Sequence, residues 1–261
     1  MTEYRINTFP KSRIATNDIC AIGVQRHHVA AMIEVDVSVA RAAIQRQKEA
    51  GNYISLTAWL IQVISQTIHE FDAVAAFSLG KRKTIIFKDV NVSIVVEKEV
   101  QGHQVPIPLI IEKANERSIG SIMEQIEAAK VQRLGSGDIV LHRKPSSLER
   151  LYYHLPGVLR RYVWRYMLRH PKLAFSKMGN VAFTSVGMMG NVNGWFLPIS
   201  IHPICFGVGS IIKKPAVVND QIEIREILNM TILMDHDVVD GGTMARFVVR
   251  LSEQIGTGAG L

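Results

Sequence analysis

The feature that most constrains this chain is a pair of long β-forming runs near its C-terminus. Residues 199–212 form one run, kinked at Pro203, and residues 221–235 form the other. Between them stands Asn219-Asp220, a dipeptide that tolerates the backbone of a tight hairpin turn. Gly207 and Gly209 lie inside the first run, where glycine signals a bulge or a close backbone approach. The second run leads into Met234-Asp235-His236-Asp237-Val238-Val239-Asp240-Gly241-Gly242. A helical apolar pattern follows, with Met244, Phe247, Val248, Leu251 and Ile255 on one face. A histidine thus leaves the end of a strand, and an aspartate with two glycines opens a helix. Histidine suits proton transfer near neutral pH. Asp240 suits a helix start. The pattern H-x-x-x-D-G arises by chance in roughly one chain in fifty of this length, so alone it decides nothing.

Upstream, residues 29–37 alternate from Met32 as a half-buried strand does. Residues 38–50 read as a helix ended by Gly51. Ser55 is placed to cap a helix over 56–70, whose Leu56, Trp59, Leu60, Val63, Ile64 and Ile68 share a core face. Strands are expected at 83–88 and 91–98. Prolines at 106 and 108 confine 105–111 to an edge strand or a cleft wall. Arg117 to Leu134 reads as a helix closed by Gly135-Ser136-Gly137, and residues 180–186 as a strand. Strands interspersed with helices, then a late block of long strands, predict one mixed α/β layer.

The net charge of +7 belongs to one segment. Between Ile139 and Met178 there are nine Lys/Arg and a single acid, Glu149, so this stretch carries +8 and the remainder about −1. A nucleic-acid binder would more often spread its basic face over the fold, so no nucleic-acid partner is expected. From Leu155 to Leu168 apolar residues recur at helical spacing (Leu155, Leu159, Tyr162, Val163, Tyr166), and Arg161, Arg165 and Arg169 share another face. The favoured reading is a docked helix with a solvated arginine face. Contact with a phosphate or an acidic partner, and contact of 150–170 with a membrane surface, are the less favoured ones. Residues 1–10 lack an apolar run, no stretch has the length of a membrane span, and Cys20 and Cys205 lack metal-type spacing. A cytoplasmic protein without a metal is expected.

Taken in order, the strand ending Thr184-Ser185-Val186-Gly187-Met188, the run Gly207-Val208-Gly209-Ser210-Ile211-Ile212-Lys213-Lys214-Pro215 and the motif Asp235-His236-Asp237-Val238-Val239-Asp240-Gly241 resemble a known family. They are similar to the catalytic domain of dihydrolipoamide acyltransferases, the core subunits of 2-oxoacid dehydrogenase complexes. Arg13-Ile14-Ala15, Met32 to Val37, and Asn91 to Val96 with Val105-Pro106-Ile107-Pro108 also match that family's earlier elements. The resemblance implies a chloramphenicol acetyltransferase-like fold: α/β, a mixed sheet flanked by helices, with the active site at a trimer interface. One acyltransferase catalytic domain would span 1–261, with 139–178 as a basic aromatic insertion within it.

The implied chemistry is thioester exchange between a dihydrolipoyl group and coenzyme A. His236 would be the general base toward the thiol. Thr184 would donate to the oxyanion, with Ser185 as the alternative. Asp240 would brace the histidine loop, supported by Arg13 from the N-terminal region and by Gly241. Coenzyme A is the acyl-carrying substrate. The chain departs from the family in carrying Asp237 where an arginine is usual. It shows no lipoyl or subunit-binding domain and no apolar C-terminal tail. These departures lead to the expectation of a free homotrimer acting on a separate lipoylated protein. Two rivals stand beside it: transfer from acyl-coenzyme A to a small hydroxyl or amine, as in chloramphenicol acetyltransferase, and a non-catalytic or membrane-associated scaffold.

Overall fold

The computed structural model describes residues 2–6, 12–80, 82–100, 103–132, 152–187, 190 and 192–261. In chain order the elements are α1 (Ser12–Gly23), β1 (His28–Asp36), α2 (Ser38–Glu49), α3 (Leu56–Glu70), β2 (Phe77–Leu79), β3 (Lys83–Ile85), β4 (Val92–Val100) and β5 (His103–Ile111). There follow α4 (Ile119–Val131), α5 (Gly157–Arg169), α6 (Pro171–Met178), β6 (Val181–Ser185), β7 (Ile204–Val218), β8 (Gln221–Asp235) and α7 (Gly241–Thr257). Six strands make one mixed sheet in the order β1-β8-β7-β6-β4-β5, and β2 and β3 form a separate ribbon.

The late hairpin is the sheet's spine. β7 and β8 pair antiparallel from Ile204↔Met234 to Val218↔Gln221, with a register shift between Val208 and Ile211. Asn219 and Asp220 both adopt positive φ, 50° and 61°, which a tight two-residue turn demands. β6 joins β7 in parallel, placing Thr184 beside Gly207 and Thr231 in one row across three strands. β5 is an edge strand, so the missing N–H groups of Pro106 and Pro108 cost no ladder bonds on its free side. The expected strand at 83–88 is shorter. It pairs with 77–79 outside the main sheet, and the chain re-enters the sheet only at Val92.

One sheet face carries the core. Phe183, Phe206, Met230, Ile232 and Met234 meet Trp59, Leu60, Val63, Ile64 and Ile68 of α3, Ile122 and Ile126 of α4, and Met244, Phe247, Leu251 and Ile255 of α7. Ser55 sits at the N-cap of α3 with extended backbone, but its side chain makes no cap bond there. The other face of the spine is covered by the chain between β6 and β7. A Cβ on Gly207 would stand 2.9 Å from the Phe196 carbonyl oxygen, and Trp195 Nε1 donates to Ile33 O at 3.0 Å. Both faces are therefore buried, and β8 is closed to solvent from Leu228 to Asp235 instead of alternating.

A second cluster joins Ile22 of α1, Phe77, Ala174 and Met178 of α6, and Ile201. Here α5 docks, but not by the stripe that its spacing suggested. Trp164, Met167 and Leu168 face inward, whereas Leu159, Tyr162, Val163 and Tyr166 are exposed. Asp18, buried in α1, accepts from Arg160 Nε (2.6 Å) and Tyr152 Oη (2.7 Å), and Tyr152 Oη in turn accepts from Trp164 Nε1 (2.9 Å). This polar anchor outbids the more apolar face, because leaving the buried Asp18 carboxylate unpaired would cost more than leaving aliphatic carbon in water. Asp18 and burial together raise the Tyr152 phenol above its usual range. Gly135-Ser136-Gly137 and the basic residues 143, 144 and 150 lie outside the described residues.

Candidate active site

The turn that carries His236 is clamped at both ends. At its start, the Asp235 side chain is 3% exposed and accepts from Arg26 Nη1 at 3.1 Å and from the Asp237 amide at 3.1 Å. Its backbone amide donates to Pro203 O, and its carbonyl accepts from the Val238 and Val239 amides. Arg26 also donates to Ile201 O. At its end, Val239 is driven into the core and Asp240 caps α7, accepting from the Thr243 amide at 2.8 Å. That amide at the helix start holds the Asp240 carboxyl below the usual carboxylate range. Between these anchors the His236 amide donates to His27 O at 3.0 Å. His236 itself is exposed. A rigid turn thus presents an imidazole at the surface of the chain.

Three more histidines surround the turn. His27 Nδ1 lies 2.9 Å from Asp237 Oδ1, and the hydrogen bond to this carboxylate raises the His27 pKa. His28 Nε2 meets His202 O at 2.9 Å and His202 Nε2 meets Met178 O at 3.0 Å. A carbonyl oxygen only accepts, so both rings must carry the proton on Nε2. Burial lowers the pKa of His28, and it lowers that of His202 to about 4. These two rings are neutral walls. Cys205 is buried, and its thiol is pushed up to about 12, which disqualifies it as a nucleophile. Among the described residues, no group of three or more His, Cys, Asp or Glu could hold a metal ion.

Thr184 stands on β6 with its side chain on the face opposite Phe183, while Ser185 returns to the Phe183 side. Both are half-buried, and neither hydroxyl is hydrogen-bonded among the described residues. Gly187, two residues beyond Ser185, packs so closely that a Cβ would lie 2.1 Å from the Gly209 carbonyl oxygen. The fold does not bring Thr184 to His236 within one chain. Thr184 is level with Thr231, and His236, the residue that follows the end of β8, lies five positions further along the chain and two strands across. At ~3.3 Å per residue and ~4.8 Å per strand, the α-carbons are separated by on the order of 19 Å.

The remaining expected residues fall as follows. Asp240 is exposed, and its carboxylate is engaged by α7. Arg13 is exposed on α1. Arg26, also from the N-terminal region, reaches the histidine turn and meets the Asp235 carboxylate. A Cβ on Gly241 would meet nothing within 4 Å, so this chain alone supplies no packing reason for that glycine. Sequence reading overlooked Arg26 and His27, and it took Asp235 and Asp237 as flanking residues that point away from the histidine, without the bonds by which they hold the turn. One signal was available: Asp235 ends a strand whose last residues are apolar, and an acid so placed needs a cation.

The family model for the 2-oxoacid dehydrogenases acyltransferase catalytic domain matches residues 21–138 and 166–258. The lipoamide acyltransferase component of the branched-chain alpha-keto acid dehydrogenase complex of Bacillus subtilis is 26% identical over 234 residues, covering 87% of this chain and 46% of that protein. The dihydrolipoyllysine-residue acetyltransferase component of the pyruvate dehydrogenase complex of the same organism is 24% identical, covering 83% of this chain and 42% of that one. The chain therefore spans about half the length of these relatives. Among solved structures, a probable dihydrolipoamide acetyltransferase from Listeria monocytogenes superposes with TM-score 0.65 at 21% identity, over 98% of this chain and 94% of that one. A truncated catalytic core of the 2-oxoacid dehydrogenase multienzyme complex from Thermoplasma acidophilum gives 0.65 at 19%, over 98% and 100%. At these identities the superpositions establish the fold.

Proposed function

Because the chain belongs to the family of 2-oxoacid dehydrogenase acyltransferase catalytic domains, we propose that it exchanges an acyl group between a dihydrolipoyl thioester and coenzyme A. The observation that carries this reading is the exposed His236 on a turn clamped by Arg26, Asp235 and Asp240. In the reaction, neutral His236 takes the proton of the coenzyme A thiol, and the thiolate attacks the thioester carbonyl. The carbonyl oxygen becomes an oxyanion and accepts a hydrogen bond from the Thr184 hydroxyl. Collapse breaks the bond to the dihydrolipoyl sulfur, which recovers the proton from His236. The acyl group ends on coenzyme A and the carrier ends as a free thiol.

Thr184 lies far beyond hydrogen-bond reach of His236 in the same chain, so the two serve one carbonyl only across a subunit interface. Each site then takes His236 from one subunit and Thr184 from its neighbour in a homotrimer, and the exposure of His236 in a single chain supports this. Asp240 and Asp235 act on the turn and not on the substrate. The acyl carrier is a lipoyl group held outside this catalytic domain, on a separate domain or protein, and the compartment is the cytoplasm, where Cys20 and Cys205 stay reduced.

The test assays purified protein with acetyl-coenzyme A against dihydrolipoamide and against a panel of small alcohols and amines. Acyl transfer to dihydrolipoamide, abolished by His236→Ala with the assembly intact, is the expected result. Transfer to hydroxyl or amine acceptors alone would overturn the thiol reading.

A further inference from the structure

Helix α5 leaves unpartnered the face that most needs a partner. Its outer surface has three rows at i, i+4 spacing: Arg161, Arg165 and Arg169; Val158, Tyr162 and Tyr166; Leu159 and Val163. The apolar rows are open to solvent, at 69% for Val158, 63% for Tyr162 and 50% for both Leu159 and Tyr166. The arginine row runs alongside them, and no carboxylate pairs with it among the described residues. The opposite face is locked to α1 through Arg160 and Asp18 and to the second core through Trp164, Met167 and Leu168. The helix cannot roll to hide the apolar rows without breaking a buried ion pair.

Most of this surface, all but Tyr166 and Arg169, lies outside the segments that match the family. Residues 139–165 fall between the two segments that match the family, and they hold most of the basic insertion. Lys172 extends the positive charge onto α6. No helix among the described residues is long and apolar enough to cross a membrane.

We infer that the outer face of α5 is a docking face for an anionic lipid surface, on which the helix lies flat. The chemistry fits on three counts. The apolar rows and the arginine row form a convex ridge, which suits a soft interface that closes around it. Tyrosine hydroxyls and guanidinium heads reach the headgroup level while their stems stay with the acyl chains. The charge is concentrated: residues 139–178 carry +8 against about −1 elsewhere, and from that segment Arg161, Arg165 and Arg169 of α5 and Lys172 of α6 stand exposed, so an anionic surface attracts this segment more than the rest of the chain. Each basic group near such a surface raises binding roughly fivefold.

Co-sedimentation of the full chain with vesicles tests this. One set is phosphatidylcholine, and the other contains roughly one part in three of phosphatidylglycerol; each is measured at ~0.1 M and ~0.5 M salt. The expected result is binding to the anionic vesicles only, weakened by salt. It should fall at least tenfold in the combined R161Q, R165Q, R169Q variant, and fall clearly in Tyr162→Ser with Tyr166→Ser. All five side chains are exposed, so these variants keep the wild-type unfolding temperature. An equal charge loss elsewhere, through R46Q, K48Q and K83Q, leaves binding unchanged. Absence of binding, equal binding to both vesicles, or an equal loss in the control triple each overturns the inference. Absence would point instead to an acidic protein as the occupant of the face.

Discussion

If one catalytic site draws His236 and Thr184 from different subunits, two dead proteins should rescue each other. The perturbation is a mixture of His236→Ala and Thr184→Ala subunits, unfolded together and reassembled. The two α-carbons are on the order of 19 Å apart in one chain, because five positions along the chain and two strand spacings separate them. A histidine and a threonine side chain together span less than half of that. A competent site therefore forms only where a Thr184→Ala subunit, which keeps its histidine, meets a His236→Ala subunit, which keeps its threonine, in the productive order. In a closed ring assembled at random from equal parts, about one ordered neighbour pair in four satisfies this. The assay is acyl transfer per subunit, with each parent alone as baseline. Recovery to about a quarter of wild-type activity is expected, against roughly 1% or less for the Thr184→Ala parent. Recovery no greater than the sum of the parents, in mixed rings verified by mass, would refute the shared site.

Other substitutions separate chemistry from support. Thr184→Ala should lower kcat by roughly a hundredfold, with Thr184→Ser retaining most activity; an effect confined to Ser185→Ala would move the oxyanion donor there. Arg26→Gln strands the Asp235 carboxylate, which is 3% exposed. It should cost about 3 kcal/mol of stability, read as a drop of roughly 6–10 °C in Tm; an unchanged Tm would show that the ion pair does not hold the turn. The His202 pKa is depressed to about 4 in the fold, so the unfolded chain binds a proton that the native one refuses. Stability should therefore decline as pH falls from about 7 toward 4, and His202→Asn should flatten that decline in a thermal-denaturation series. The His27 pKa is raised by Asp237, so its stabilisation is present below the unfolded value near 6.5 and is lost as pH rises through the folded one. An NMR titration should show His27 falling back toward its ordinary value in Asp237→Asn.

Much of the architecture was legible along the chain because local rules and tertiary needs agreed. The hairpin was announced by its β-branched runs and by Asn219-Asp220, whose positive φ values the turn requires, although its first strand runs over 204–218 where 199–212 was expected. Pro106 and Pro108 confined β5 to an edge. Asp240 opened α7 as an N-cap. The strand expected at 83–88 ends at Ile85 and lies in the separate ribbon, because a run of β formers carries no mark of which sheet it will join.

What the sequence determined by itself was most of the elements, though not α1, β2 or α6, together with the core stripes of α3 and α7 and the family motif around His236. Each depends on spacing within a few residues, which chain order encodes directly. Only the tertiary structure decided that Arg26 meets Asp235 across 209 positions, that Thr184 stands two strands from the strand that ends at the histidine, and that α5 turns its apolar rows outward. Periodicity reports which residues share a face but not which face wins. Here a buried carboxylate at Asp18 settled the outcome, since an unpaired charge in the interior costs more than exposed aliphatic surface.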